Sequence, residues 1–84
     1  MNSRNREINL GDLLAQVFNF TERRITAADS PETIFGWDSF RSLIMLQELE
    51  RASGVSFALD DLRDIRNVSD VQKLLSKYRV AHVL

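Results

Sequence analysis

The residues with the most chemical potential sit together near the middle of the chain, in the stretch FGWDSFRSL from Phe35 to Leu43. Ser39 has two possible uses there. As a nucleophile it needs a base, usually histidine, and a group that orients the base. The one histidine is His82, close to the C-terminal end, and no G-x-S-x-G elbow surrounds Ser39. The sequence also contains no P-loop, no dinucleotide fingerprint and no histidine–carboxylate cluster with metal-ligand spacing. Asp60, Asp61 and Asp64 in ALDDLRD do not follow the spacing of a calcium loop and read as a solvated, helix-starting turn. Neither a catalytic residue nor a metal site is expected.

The second use is as a substrate for another enzyme. Asp38 is a favourable N-cap, so Ser39 falls in the first turn of a helix. A phosphate ester at that position meets unpaired backbone N–H groups and the positive end of the helix dipole. Gly36 is expected to let the preceding loop turn sharply.

The elements that must position Ser39 follow from hydrophobic periodicity. A first helix is expected over about Leu10–Phe20, where Leu10, Leu13, Leu14, Val17 and Phe18 share one face. Asn9 is its expected N-cap and Asp12 lies in its first turn, while Ile8 is placed to pack on Leu13 as a staple. Gly11 weakens its start. A long aperiodic connection runs from Thr21 to Trp37, with Ile25, Ile34 and Phe35 expected to pin it to the bundle. The second helix starts at Asp38 or Ser39 and runs to about Ala52, closed by Gly54. A short helix is expected around Asp60–Ile65. The last begins at Ser69, with Ser69 and Gln72 as a capping box and Val71, Leu74, Leu75 and Tyr78 on its apolar face. The tail RVAHVL either extends this helix or frays. Three main helices and one short one make a small all-α four-helix bundle. A single domain is expected over 1–84, with its core at about 8–79 and a tail at 80–84.

The second helix carries more apolar surface than one stripe. Met45, Leu46, Leu49 and Ala52, with Ser42 among them, form the natural core face. Phe40, Leu43 and Ile44 lie on the opposite side, near Gln47 and Arg51. That second stripe is either covered by the long loop and short helix or is a docking surface beside Ser39.

Composition excludes several classes. A chain of 84 residues holds one domain with a thin core, and without cysteine it has no disulfide or thiol chemistry. Eleven basic against 12 acidic residues give a net charge of −1. The arginines, from Arg4 and Arg6 to Arg79, are scattered rather than striped, which argues against nucleic-acid binding. The N-terminal stretch has no apolar signal core, and nothing approaches a membrane span, so a cytoplasmic protein without membrane insertion is expected.

The segment GWDSFRSLIMLQELERASGVSF resembles the centre of acyl carrier proteins and the related peptidyl carrier domains, in a stand-alone form with a GWDS motif. In that family a G-x-D-S-[L/M/F] motif opens the second helix of a four-helix bundle. Its serine carries 4′-phosphopantetheine, whose thiol bears acyl or aminoacyl groups as thioesters. The resemblance covers nearly the whole chain, through to the final VSDVQKLL helix. It implies that Ser39 is the attachment serine, and that Asp38 caps the helix and helps the phosphopantetheinyl transferase and its magnesium ion engage the site. Gly36 is the motif glycine. Phe40 stands beside the arm where leucine is usual. Partner enzymes would read Phe40, Arg41, Leu43, Ile44 and Gln47, and an acyl chain entering the core would meet Met45, Leu46 and Leu49. The implied partners are the transferase, a loading ligase or acyltransferase, and downstream synthase enzymes. The carrier itself, a monomer in this family, makes no bonds.

Two departures bear on the pathway. Fatty-acid carriers are strongly acidic along the second helix, whereas Arg41 and Arg51 interrupt that surface here. The RDIRNVSD connection also looks longer than in the compact fatty-acid type. Both point to a dedicated polyketide, nonribosomal peptide, modified fatty acid or surface-glycan pathway. The rival readings are a carrier-like interaction module that is never modified, a small DNA-binding bundle, and a hydrolase using Ser39.

Overall fold

The computed structural model describes residues 7–84; Arg4, Arg6 and the start of the N-terminal stretch lie outside them. The elements run β1 (Ile8–Asn9), α1 (Leu10–Phe18), α2 (Ser39–Ser53), α3 (Leu59–Arg63), α4 (Val68–Lys77) and β2 (His82–Val83). The four-helix bundle expected from periodicity is present. Its core gathers Leu10, Leu14, Val17 and Phe18 of α1, Met45, Leu46 and Leu49 of α2, and Val68, Val71, Leu74 and Leu75 of α4.

Helix α1 begins at Asn9, whose side-chain oxygen accepts the Asp12 N–H at 3.1 Å. It ends two residues earlier than its periodicity predicts. Asn19 takes the left-handed conformation at φ 53°, and Phe20 and Asn19 donate back to Ala15 and Gln16. This is a Schellman ending, which satisfies the last carbonyls and turns Phe20 into the core. Helix α4 ends in the same way. Arg79 sits at φ 61°, with Val80 donating to Leu75 at 2.8 Å and Arg79 to Ser76 at 3.0 Å.

The reversal at Arg79 overturns the expectation for the tail, which neither extends α4 nor frays. It returns across the bundle as β2 and pairs in parallel with β1, Ile8 opposite His82 and Asn9 opposite Val83. Ile8 is therefore buried in a strand pair as well as preceding a helix. Gly11 has a use here too. A Cβ at that position would come within 2.7 Å of the Leu84 carbonyl oxygen, so its absence makes room for the returning chain.

The long loop between α1 and α2 is fixed by a buried carboxylate. Asp29 accepts two hydrogen bonds from the Arg23 guanidinium, at 2.6 and 2.8 Å, one from the Thr26 N–H at 2.8 Å and one from the Thr33 hydroxyl at 2.7 Å. Its carbonyl oxygen accepts the Val68 N–H, and the Ala27 carbonyl accepts that of Ser69. Two of the orphan N–H groups of α4 are thus satisfied by the loop. The third, at Asp70, is capped by the Asn67 side chain at 2.8 Å. Asn67, not Ser69, is the N-cap, and the predicted Ser69–Gln72 box is not used, because the loop has already taken the first turn of this helix. Ile25 and Ile34 pin the loop as expected, but Phe35 does not. Turns closed by Ile34 N–H to Ser30 and Trp37 N–H to Ile34 send Ile34 and Trp37 inward and leave Phe35 fully exposed.

The Arg23 pair and the surrounding donors hold the Asp29 carboxyl well below the usual carboxylate range. A carboxyl depressed in this way contributes stability above its unfolded pKa of about 4, and that contribution fades as pH falls below it. Arg23→Ala is expected to lower unfolding free energy by about 1–3 kcal/mol, since it leaves a buried acceptor short of partners. In urea unfolding the variant should also lose less stability than the parent between pH 5 and pH 3, values that bracket the free carboxyl pKa of about 4.

Candidate functional site

The site is the junction where α1 ends and α2 begins. Three contacts weld it. Gly36 lies against the carbonyl oxygen of Phe18, where a Cβ would collide with backbone. Trp37 stacks on the Phe18 ring with centroids 4.8 Å apart, and its indole N–H donates to Ser42 Oγ at 3.0 Å. Arg41 reaches back to donate to the Val17 carbonyl at 2.6 Å. Gly36 lies in the tight turn closed by the Trp37 N–H on the Ile34 carbonyl, as expected, but it does not use the left-handed region there. Its service is close approach to a neighbouring helix end.

Arg41 also changes meaning. The resemblance placed it on the partner-reading surface. In the fold its guanidinium is spent on an orphan carbonyl at the negative end of α1, the place where a cation is most favourable. No sequence pattern pairs Arg41 with Val17, because the contact spans 24 residues.

With the junction fixed, Asp38 caps α2. It lies extended at φ −119° and accepts the Arg41 N–H at 2.8 Å. Ser39 is the first residue of the helix and is exposed. It opens onto a groove of about 450 Å³ between α2 and α3. Ser39, Ser42 and Leu43 form the α2 side; Leu59, Leu62 and Arg63 belong to the α3 side.

The second apolar stripe of α2 divides between its neighbours. Leu43 faces the α3 groove, and Ile44, half-buried, lines a smaller groove against Leu13 and Val17 of α1. Phe40 is 68% exposed and Gln47 is exposed, so these two face solvent. The core face is as expected, with Met45, Leu46 and Leu49 buried; none of the three lines the groove at Ser39.

Helix α3 buries no residue. It is held by Asp61, which accepts from the Tyr78 hydroxyl at 2.7 Å and the Ala58 N–H at 3.1 Å, with Lys77 at 3.3 Å. The Tyr78 bond is the main reason the Asp61 carboxyl lies below its ordinary pKa. His82 is in β2, its ring nitrogen Nδ1 3.1 Å from the Val80 carbonyl oxygen, and it takes no part in the groove at Ser39. No group of three or more metal-binding side chains occurs among the described residues, and no helix there is long and apolar enough to cross a membrane.

Two solved structures share this architecture. One is a holo acyl carrier protein from Geobacter metallireducens, 31% identical, with a TM-score of 0.72, over 81% of this chain and 78% of its own. The chain belongs to the acyl carrier protein family. The other, a Mycobacterium tuberculosis chain assigned to the acyl carrier proteins, is 23% identical with the same TM-score, over 82% of this chain and 92% of its own, and supports the fold. No protein-family model and no curated protein sequence matches the chain. Membership in the family supports a carrier role.

Gly36→Ala tests the weld of this carrier protein. The added methyl must push α1 and α2 apart, so unfolding free energy should fall by about 1–3 kcal/mol. Fluorescence of Trp37, the single tryptophan, should move to longer wavelength as its stack on Phe18 loosens. Unchanged emission and stability would show that the weld does not depend on this contact.

Proposed function

We propose that Ser39 carries 4′-phosphopantetheine and that the protein delivers acyl or aminoacyl groups as thioesters to partner enzymes. The observation that carries this reading is an exposed serine at the first position of a helix whose start is welded in place. The residues present fit the group. Ser39 is open to a modifying enzyme, the first turn of α2 offers backbone N–H groups to a phosphodiester, and the adjoining groove of about 450 Å³ sets Leu43, Leu59 and Leu62 beside polar groups that suit the mixed polarity of the arm. The relative from Geobacter was solved as a holo acyl carrier protein.

In this reading the Ser39 hydroxyl attacks the pantetheine-bearing phosphorus of the coenzyme A pyrophosphate in a phosphopantetheinyl transferase; the Ser39 oxygen–phosphorus bond forms as the pyrophosphate P–O bond breaks, 3′,5′-ADP leaves, and the hydroxyl proton passes to a base of that enzyme. Asp38 holds the helix start with one carboxylate oxygen and, being exposed, presents the carboxylate to the transferase-bound magnesium ion. When bound, the group supplies a thiol for thioester formation and a flexible tether that raises the effective concentration of cargo at each partner. Phe40, Leu43, Ile44 and Gln47 present the surface that partners read, with Phe40 the most exposed apolar side chain on α2. The partners are the transferase, a loading ligase or acyltransferase and downstream synthase enzymes. Arg41 is engaged within the fold and Arg51 pairs with Glu48 at 3.5 Å, so α2 lacks a continuous acidic face. This favours the enzymes of a dedicated polyketide, nonribosomal peptide or modified fatty acid pathway.

Intact mass after incubation with coenzyme A, magnesium and a promiscuous transferase is the test. The expected result is one added phosphopantetheinyl group on the parent and none on Ser39→Ala. No added mass on folded parent protein, with an authentic carrier modified in the same tube, would overturn the attachment and favour an unmodified interaction module.

A further inference from the structure

With Ser39 taken as the attachment point, a reading on which this step rests, we infer that Arg41 is a positioning residue for the modification. Its bond to the end of α1 holds the first turn of α2 in the orientation that presents the Ser39 hydroxyl to the transferase. Arg41 does not line the groove at Ser39 and acts through the helix start.

The carbonyl groups at the end of α1 show what the arginine does. The last turn of a helix leaves four of them without helical partners. The Schellman ending provides for two, with the Phe20 N–H donating to Ala15 at 2.9 Å and the Asn19 N–H to Gln16 at 3.3 Å. Gly36 lies against a third, the carbonyl of Phe18. The fourth, that of Val17, accepts from Arg41 Nη1 at 2.6 Å. A charged donor at the negative end of a helix makes a strong bond. This one is also sheltered. Arg41 is half-buried and lines the small groove between α1 and α2 with Leu13, Val17 and Ile44.

The same residue is held at its backbone. The Arg41 N–H donates to the Asp38 carboxylate at 2.8 Å, the bond that caps α2. The Ser42 N–H donates to the Asp38 carbonyl at 2.9 Å and closes the first turn. Ser39 lies between Asp38 and Arg41 in that turn and is exposed. Helix starts fray readily, since their first N–H groups lack helical partners. Here one side chain ties the turn to a second helix across 24 residues of sequence.

Arg51 supplies the contrast. It carries the same charge on the same helix, but it is exposed and pairs with Glu48 at 3.5 Å. A transferase that reads charge along α2 would respond to the loss of either arginine. A transferase that depends on the orientation of Ser39 responds to Arg41 alone. Transfer needs the Ser39 oxygen in line with the P–O bond that breaks, and misplacement by about 1 Å can cost a factor of about 100.

The experiment measures rates of phosphopantetheinylation with coenzyme A, magnesium and a promiscuous transferase, over a range of carrier concentrations and at low and high salt. The carriers are the parent, Arg41→Gln, Arg41→Lys and Arg51→Gln. Arg41→Gln should lower kcat about tenfold and leave KM within about twofold of the parent at both salt concentrations. Arg51→Gln should keep the kcat of the parent. Arg41→Lys, which retains a charged donor for the Val17 carbonyl, should recover most of the rate. Amide hydrogen exchange in Arg41→Gln should quicken at Arg41 and Ser42 and stay unchanged in α4, which marks a local loosening of a folded protein. Should Arg41→Gln not fold, Arg41→Met keeps the apolar stem without the donor and carries the same expectations. A raised KM with unchanged kcat, shared by Arg51→Gln, would overturn the inference and make Arg41 a charge that partners read. Unchanged kinetics in Arg41→Gln would overturn it outright, and a lysine variant as slow as the glutamine one would overturn the Val17 bond as the cause. All three leave Ser39 as the attachment site. No added mass on the parent would overturn the attachment reading, and the inference with it.

Discussion

The buried carboxylate of Asp29 is the constraint on which the rest of this small protein depends. A loop as long as the one between α1 and α2 would ordinarily be the mobile part of a compact domain. Here it is drawn around one charge. Arg23, Thr26 and Thr33 all converge on that charge, and the backbone beside it caps α4. The arrangement couples three elements at once. It closes the loop, it starts the last helix, and it delivers Ile34 and Trp37 to the core at the point where α2 begins. A thin core gains little from each added apolar contact, so a polar hub with every acceptor satisfied is an efficient way to order so much irregular chain.

The second constraint is the weld between α1 and α2, and it explains the composition of the central motif. Gly36 is small because a carbonyl lies against it. Trp37 is large because it covers Phe18 and closes the end of the bundle. Asp38 caps, and Arg41 neutralises the opposite helix end. Ser39 is left as the residue with no structural task in this set, and it is the one that faces solvent at a fixed place. A carrier needs this division. With the attachment proposed at Ser39, partners would meet a rigid point, and the motion of delivery would belong to the arm and not to the protein.

The groove beside Ser39 owes its shape to a helix with no buried residue. Helix α3 is placed by Asp61, Phe57 and Tyr78 together with the half-buried Leu62, which packs on the core. Polar anchoring of this kind fixes a wall without filling the space in front of it, which is why Leu59 remains 67% exposed beside the groove.

Much of this was legible in the sequence. Period-3.6 spacing located α1, α2 and the core of α4, because a helix in a thin bundle must present one apolar stripe. Asn9, Asp38 and Gly54 announced helix ends, since capping is a local interaction between residues a few positions apart. The resemblance around GWDS identified the family. The tertiary structure decided what depends on distant backbone. Asn67 replaces Ser69 as the cap of α4 because loop carbonyls occupy the N–H groups that follow it. The tail pairs with Ile8 because Arg79, a residue with no left-handed preference, turns it back. Arg41 binds α1 and Phe35 points to solvent because only the folded chain sets which carbonyl is within reach and which side of a turn faces the core.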